Sequence, residues 1–299
     1  MKKKIPLLSA VLGAGVASGV AMWLNRRNRA QEAKKEVSSN PGKMEQELVK
    51  RMPDMIYYDR FKLAVQPVVD LQTGGIVGGE VLSRLDHPEQ GIIFPDKFLP
   101  AVEQAGLYPK FDHYIFKKTC ELLGELTGGG AVVQYLSCNF SRTTLSEKGI
   151  ATRLAKIADS YGIPHDRLAV EITEREKETD TQQFCENLNQ LHKAGFRIFV
   201  DDLGAGVNSV RDLWTYPVDV VKIDRALLLA ADHDQGRASY RGLRNLAVEL
   251  GCKVICEGVE TEEQHRFVLE AGCHCGQGFL LYRPMEDRQF IHLMGGKSL

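Results

Sequence analysis

Net charge is what this sequence has least of: 38 lysines and arginines stand against 39 aspartates and glutamates, a formal balance of −1. That excludes a long polyanion such as DNA or RNA as the main partner, because such ligands demand a strongly basic face. Internal repeats and low-complexity stretches are absent, which excludes array architectures. The eight histidines form no H-x-H pair on a strand, so the histidine-ligated centre of an amidohydrolase-type barrel is excluded as well. Seven cysteines, an odd number scattered through apolar runs, exclude a disulfide framework and suit reduced thiols in a reducing compartment. Cys273-His274-Cys275 lacks a second Cys/His pair to complete four zinc ligands, so it reads as core packing.

What is present is a globular composition, 43% hydrophobic and 26% charged over 299 residues. Residues 5–24 form an uncharged run long enough to span a bilayer, with Lys2, Lys3 and Lys4 before it and Arg26, Arg27 and Arg29 after it. The run predicts an N-terminal transmembrane anchor over residues 1–27. A cleaved signal peptide is the competing reading, because Ala17, Ser18 and Ala21 offer a small-residue cleavage site. Residues 28–58 are polar and read as a juxtamembrane linker. Residues 59–299 are then the folded domain, close to the roughly 250 residues usual for a (β/α)8 barrel.

In that domain FKLAVQPVVDLQ and GIVGGEVLSRL are strand-like and joined at Thr73-Gly74-Gly75, which predicts an antiparallel hairpin. Helical patterns then alternate with strands. Phe184, Leu188 and Leu191 share one helical face, as do Tyr240, Leu243, Ala247 and Leu250, with Gly195 and Gly251 placed as C-terminal caps. Alternation of this kind predicts a parallel α/β sheet. Its apolar runs end on Glu80, Asn139, Glu171, Asp201-Asp202, Lys222, Glu257 and Gln277. In a barrel of parallel strands, C-terminal strand ends converge on one mouth, where catalytic residues gather.

A ring of acids with one amide, one lysine and one glutamine offers hard oxygen ligands, suited to magnesium or manganese rather than zinc. Such a ring fits hydrolysis of a phosphate ester. Adjacent acids on a continuing strand point to opposite faces, so Asp201 and Asp202 serve one site only if the strand ends there and the chain turns. Lys222 should point into the mouth, where Asp202 or Glu257 would balance its charge and where it could orient or deprotonate a water.

Several ordered motifs carry a resemblance: QPVVDL from Gln66, Glu80-Val81-Leu82 with Arg84 following, SCNFS around Asn139, EITE from Glu171, DDLGAG from Asp201, VDVVKID from Val218, CEGVET from Cys256 and GQGFLLYRP from Gly276. Over residues 60–295 the chain resembles the EAL-domain phosphodiesterases of bacterial cyclic di-GMP signalling. The resemblance implies a (β/α)8 barrel with one antiparallel strand, hydrolysis of cyclic di-GMP to linear pGpG, and two Mg²⁺ or Mn²⁺ ions. It assigns Glu80, Asn139, Glu171 and Asp201 to one ion, and Asp201 with Asp202 to the other. Lys222 and Glu257 would handle the attacking water with help from Gln277. Gln66 and Arg84 would contact substrate, and Glu174 would steady the loop after Asp202, which in the family leads to a homodimer interface. That loop departs from the family pattern: Leu203-Gly204-Ala205-Gly206-Val207-Asn208-Ser209 lacks the usual aromatic and one serine. A catalytically silent EAL-like module, acting as a nucleotide receptor or protein-binding regulator, is the alternative. With the anchor uncleaved, these features predict a single-pass protein of the bacterial inner membrane with its catalytic domain in the cytoplasm.

Overall fold

In the computed structural model, residues 41–173, 181–204 and 210–295 are described. The chain divides into two units, Met1–Arg51 and Met52–Leu299. Of the first, only the start of the helix Pro41–Tyr57 is described. One expectation is corrected: no helix among the described residues is long and apolar enough to cross a membrane. The run 5–24 that prompted a single-pass inner-membrane localisation lies outside the described residues, so that localisation is withdrawn.

The described residues of the second unit form ten strands: β1 (Phe61–Asp70), β2 (Ile76–His87), β3 (Gly91–Ile93), β4 (Tyr135–Phe140), β5 (Leu168–Ile172), β6 (Arg197–Leu203), β7 (Val220–Ile223), β8 (Lys253–Cys256), β9 (Cys275–Gly276) and β10 (Met285–Glu286). The ladder runs β1-β9-β8-β7-β6-β5-β4-β2, and the pairing of β1 with β2 closes it into an eight-stranded barrel. β1 is antiparallel to both of its barrel neighbours, and the pairings from β2 round to β9 are parallel. This is the barrel with one antiparallel strand that the motifs imply. The short β3 and β10 pair at its side, with β2 and β1 respectively.

Local chemistry explains the elements. Asp70 Oδ1 accepts from the backbone N–H groups of Gln72 and Thr73 and from the Thr73 hydroxyl, which shapes the β1–β2 turn. β5 and β7 are buried along their whole length, as strands covered on both faces must be. Between strands run the helices, among them Tyr108–Gly128, Ile150–Ser160, Thr181–Lys193, Asp234–Glu249 and Glu262–Glu270. A capping box of Thr261 and Gln264 opens the last of these. Phe184, Leu188 and Leu191 are buried on their helix as the periodicity predicts, and so are Tyr240 and Ala247. Leu250 is instead exposed, because the helix ends at Glu249 and Leu250 is its cap.

Inside the barrel, Val68, Tyr135, Ala169, Phe199, Val220 and Ile255 form one packed cluster. Gly78 on β2 makes room for it, since a Cβ there would lie 2.5 Å from the Tyr135 ring. This layer fills the interior and leaves two separate ends.

Candidate active site

At the C-terminal end of the parallel strands, Lys222 is buried at 2% exposure among four carboxylates. Its Nζ lies 2.8 Å from Glu80 Oε2, 2.6 Å from Glu171 Oε1, 3.1 Å from Asp201 Oδ1 and 2.8 Å from Glu257 Oε1. Of the two partners expected for this lysine, Glu257 is one, and Glu80, Glu171 and Asp201 join it. Asn139 donates its amide to Glu80 Oε1 at 3.0 Å. Gln277 donates to Glu80 Oε2 at 3.0 Å and to Glu257 Oε1 at 2.7 Å. The seven side chains come from five barrel strands and from the residues directly after β8 and β9, so the barrel itself sets their spacing.

Two local features bring them together. β6 shifts register between Val200 and Leu203, and Asp202 adopts φ +53°, a left-handed conformation uncommon outside glycine. The chain thus turns at the paired acids, and both Asp201 and Asp202 line the same cleft. Glu80 differs from the expected placement. It is not a strand end but sits inside the twelve-residue β2, which runs on to His87 by pairing with β1 and β3. Its side chain still reaches the mouth, because the parallel neighbours stop near its level.

The charges are unbalanced, and the carboxyls respond. Burial pushes Glu171 up, and the Glu80 and Asp201 charges add to this against the pull of Lys222, leaving it at about 8. Burial likewise raises Asp201, and Glu257 well above the usual carboxylate range. Glu80 is buried too, yet the Lys222 charge and the bonds from Lys222, Gln277 and Asn139 hold it below its ordinary value. Burial disfavours the Lys222 cation, but the surrounding carboxylates outweigh it and raise the ammonium well above its usual range.

One cation against four carboxylates leaves room for more positive charge. Glu171 Oε2 is buried without a hydrogen-bond partner, the condition of a ligand atom lacking its cation. Glu80, Glu171 and Asp201 form one group whose oxygens lie within 4.8 Å of one another, and Asp201, Asp202 and Glu257 form a second. Asp201 belongs to both, so one carboxylate could bridge two ions. The donors are all oxygen, which fits Mg²⁺ or Mn²⁺.

The remaining expected residues lie as follows. Gln66 stands opposite Glu80 in the β1–β2 ladder, and its amide reaches the Tyr282 carbonyl at 3.4 Å. Arg84, two alternations beyond Glu80 on β2 and thus on its face, has its guanidinium 4.9 Å from the centre of the Phe94 ring. Glu174 and residues 205–209 lie outside the described residues. Beside Asn139, Asp201 and Asp202 opens a cleft of about 210 Å³ that Tyr108, Phe111, Asp112 and Ser141 also line. Those four escaped the sequence reading, since on a helix or at a cap they look like ordinary core and capping positions. Asp112 is buried and accepts from the Ser141 backbone at 2.9 Å and from the Thr144 hydroxyl at 2.6 Å, which fixes the segment after Asn139.

The EAL domain family model matches residues 49–284. The chain belongs to that family. The barrel superposes on the PaMucR phosphodiesterase in its c-di-GMP complex with a TM-score of 0.75 and 30% identity, covering 82% of this chain and 99% of that one. The cyclic di-GMP phosphodiesterase PdeL of Escherichia coli is 31% identical over 77% of this chain and 64% of its own length. An uncharacterised Mycobacterium tuberculosis protein is 28% identical over 98% of this chain and 50% of its own length. The chain therefore spans about half the length of the mycobacterial relatives it matches.

Proposed function

We propose that this EAL domain hydrolyses cyclic di-GMP to linear pGpG with two bound Mg²⁺ or Mn²⁺ ions. The observation that carries the reading is the buried cluster of Glu80, Glu171, Asp201 and Glu257 around Lys222, with the Glu171 Oε2 atom unpartnered. Glu80, Asn139, Glu171 and Asp201 would hold one ion, and Asp201 with Asp202 the other. Bound there, the ions supply Lewis acidity and neutralise charge on the attacking and leaving oxygens of an in-line displacement.

The chain's own residues do the rest. Glu257 Oε1 is fixed by Lys222 Nζ and Gln277 Nε2, which leaves Oε2 to accept a proton from the attacking water. The water oxygen bonds to phosphorus, the phosphorus–ribose oxygen bond breaks, and the proton passes finally to the leaving oxygen. Lys222 keeps the carboxylates at hydrogen-bonding distance and offsets charge as it develops. Arg84 and Gln66, on the antiparallel side of the mouth, would hold the nucleotide. Glu174 would steady the loop after Asp202.

The test is incubation of the full chain with cyclic di-GMP and Mg²⁺ or Mn²⁺, followed by chromatography for pGpG. Turnover that disappears in excess chelator is the expected result. Nucleotide binding without any turnover would favour a receptor instead.

A further inference from the structure

The end of the barrel opposite the carboxylates holds a cavity of about 510 Å³. Tyr135, Arg197 and Lys253 line it, each four residues before Asn139, Asp201 and Glu257 on the same strand or its direct continuation. Residues spaced by four on a strand share a face, roughly 13 Å apart along it, so these three point into the barrel from its other end. The cluster containing Val68, Phe199, Val220 and Ile255 lies between the two ends.

This end carries more cations than carboxylates: Arg197, Arg244 and Lys253 line it against Asp70. Arg197 lies over the Tyr135 ring, 5.2 Å from its centre. Arg244, from the helix Asp234–Glu249, donates to the Gly272 carbonyl and to Asn245 Oδ1, while its buried Nε has no partner. Among the described residues, Arg197, Arg244 and Lys253 form no ion pair with a carboxylate, while the Cys273 thiol is pulled down to about 7, first by its bond with Cys256 and also by the Arg244 guanidinium. Asp70 also lines the cavity, and the turn bonds from Thr73 and Gln72 hold it ionised, so three cations stand there against one carboxylate. The floor is apolar, formed by Val220 and Ile255.

An apolar floor, an aromatic wall stacked with a guanidinium and a rim on which cations outnumber carboxylates have one complement: a flat aromatic body carrying an anionic group. We infer that the N-terminal end of this barrel is a second binding site, for an aryl anion, separate from the carboxylate mouth. A volume of this size falls in the range of small-molecule sites. The site depends on the fold alone, so it stands or falls separately from the phosphodiesterase reading.

The probe is anilinonaphthalene sulfonate, an aryl anion whose fluorescence rises on entering an apolar pocket. Titrated into the full chain, it should give saturable enhancement that cyclic di-GMP does not suppress. The double variant Arg197→Gln/Arg244→Gln should weaken binding by at least about tenfold, as loss of charge-assisted hydrogen bonds predicts. Unchanged circular dichroism would verify its fold. Should the double variant fail to fold, Lys253→Gln on the exposed rim replaces it, with an expected loss of about threefold or more. Enhancement that does not saturate, that is equal in folded variant and native chain, or that cyclic di-GMP abolishes would overturn the second site.

Discussion

Strands β4, β6 and β8 carry opposite chemistry at their two ends. Where they finish, Asp201 and Glu257 join Glu80 and Glu171 around one lysine, with Asn139 bonded to Glu80; where they start, Tyr135, Arg197 and Lys253 face a cavity in which cations outnumber the one carboxylate, Asp70. The intervening layer of Val68, Phe199, Val220 and Ile255 keeps the two apart. The comparison teaches that charge imbalance, rather than charge, marks a binding site. Each end holds an excess of one sign that the protein does not neutralise internally, and each should therefore take a ligand of the opposite sign.

The largest effect should come from the shared carboxylate. Asp201→Asn should lower cyclic di-GMP turnover by about a thousandfold in a pGpG assay, because it removes charge from both candidate ion groups. Far-ultraviolet circular dichroism should be unchanged. A variant within tenfold of native turnover would detach the acid end from catalysis.

Lys222→Ala comes next. It leaves the buried carboxyl cluster, in which Glu80 is held ionised, without its cation, so the chelated protein should lose about 3–5 kcal/mol of stability in urea unfolding. Mn²⁺ should restore part of that loss, and nucleotide binding should survive although turnover does not. Equal stability with and without the lysine would mean that Glu80 too is neutral in the native chain.

A smaller effect is a dependence on pH. Without metal the Glu171 carboxyl stays protonated up to about 8, whereas in the unfolded chain it titrates near about 4.3. Between those values the folded state holds more protons, so stability falls as pH rises through that window. Metal must displace the proton, so its affinity rises with pH over the same range. Melting curves in chelator should shift downward from about pH 5 to 8, and saturating Mn²⁺ should flatten the trend. A chelated chain that grows more stable over that range would contradict the assigned burial.

The smallest effect sharpens the contrast. Arg197→Gln, at the far end of the same strand as Asp201, should leave turnover within about twofold of native, as is usual for substitutions away from the reacting groups. A hundredfold loss would show that the two ends are not separate.

The acid end was legible in the sequence for a physical reason. A carboxylate or lysine that closes an apolar run must be paired or functional, and five such positions, with the amides Asn139 and Gln277 between and after them, recur in barrel order. The antiparallel start was legible too, since Thr73-Gly74-Gly75 between two strand patterns permits a hairpin. Glu80 was misplaced as a strand end because sequence gives no sign that β2 continues to His87; that extension depends on pairing with β1 and β3. The left-handed turn at Asp202 was anticipated only as a requirement, and the structure supplies its φ. The cation end was invisible because Arg197 and Lys253 begin their strands, where a charge reads as solvated. Arg244 comes from a distant helix, and only the fold brings it there.

Whether the acid end is a two-ion site is tested most directly by counting bound Mn²⁺ by electron paramagnetic resonance. The native full chain with cyclic di-GMP should bind two ions saturably, and Asp201→Asn should lose at least one of them. No saturable Mn²⁺ binding by the native chain, or a count that Asp201→Asn leaves unchanged, would contradict it.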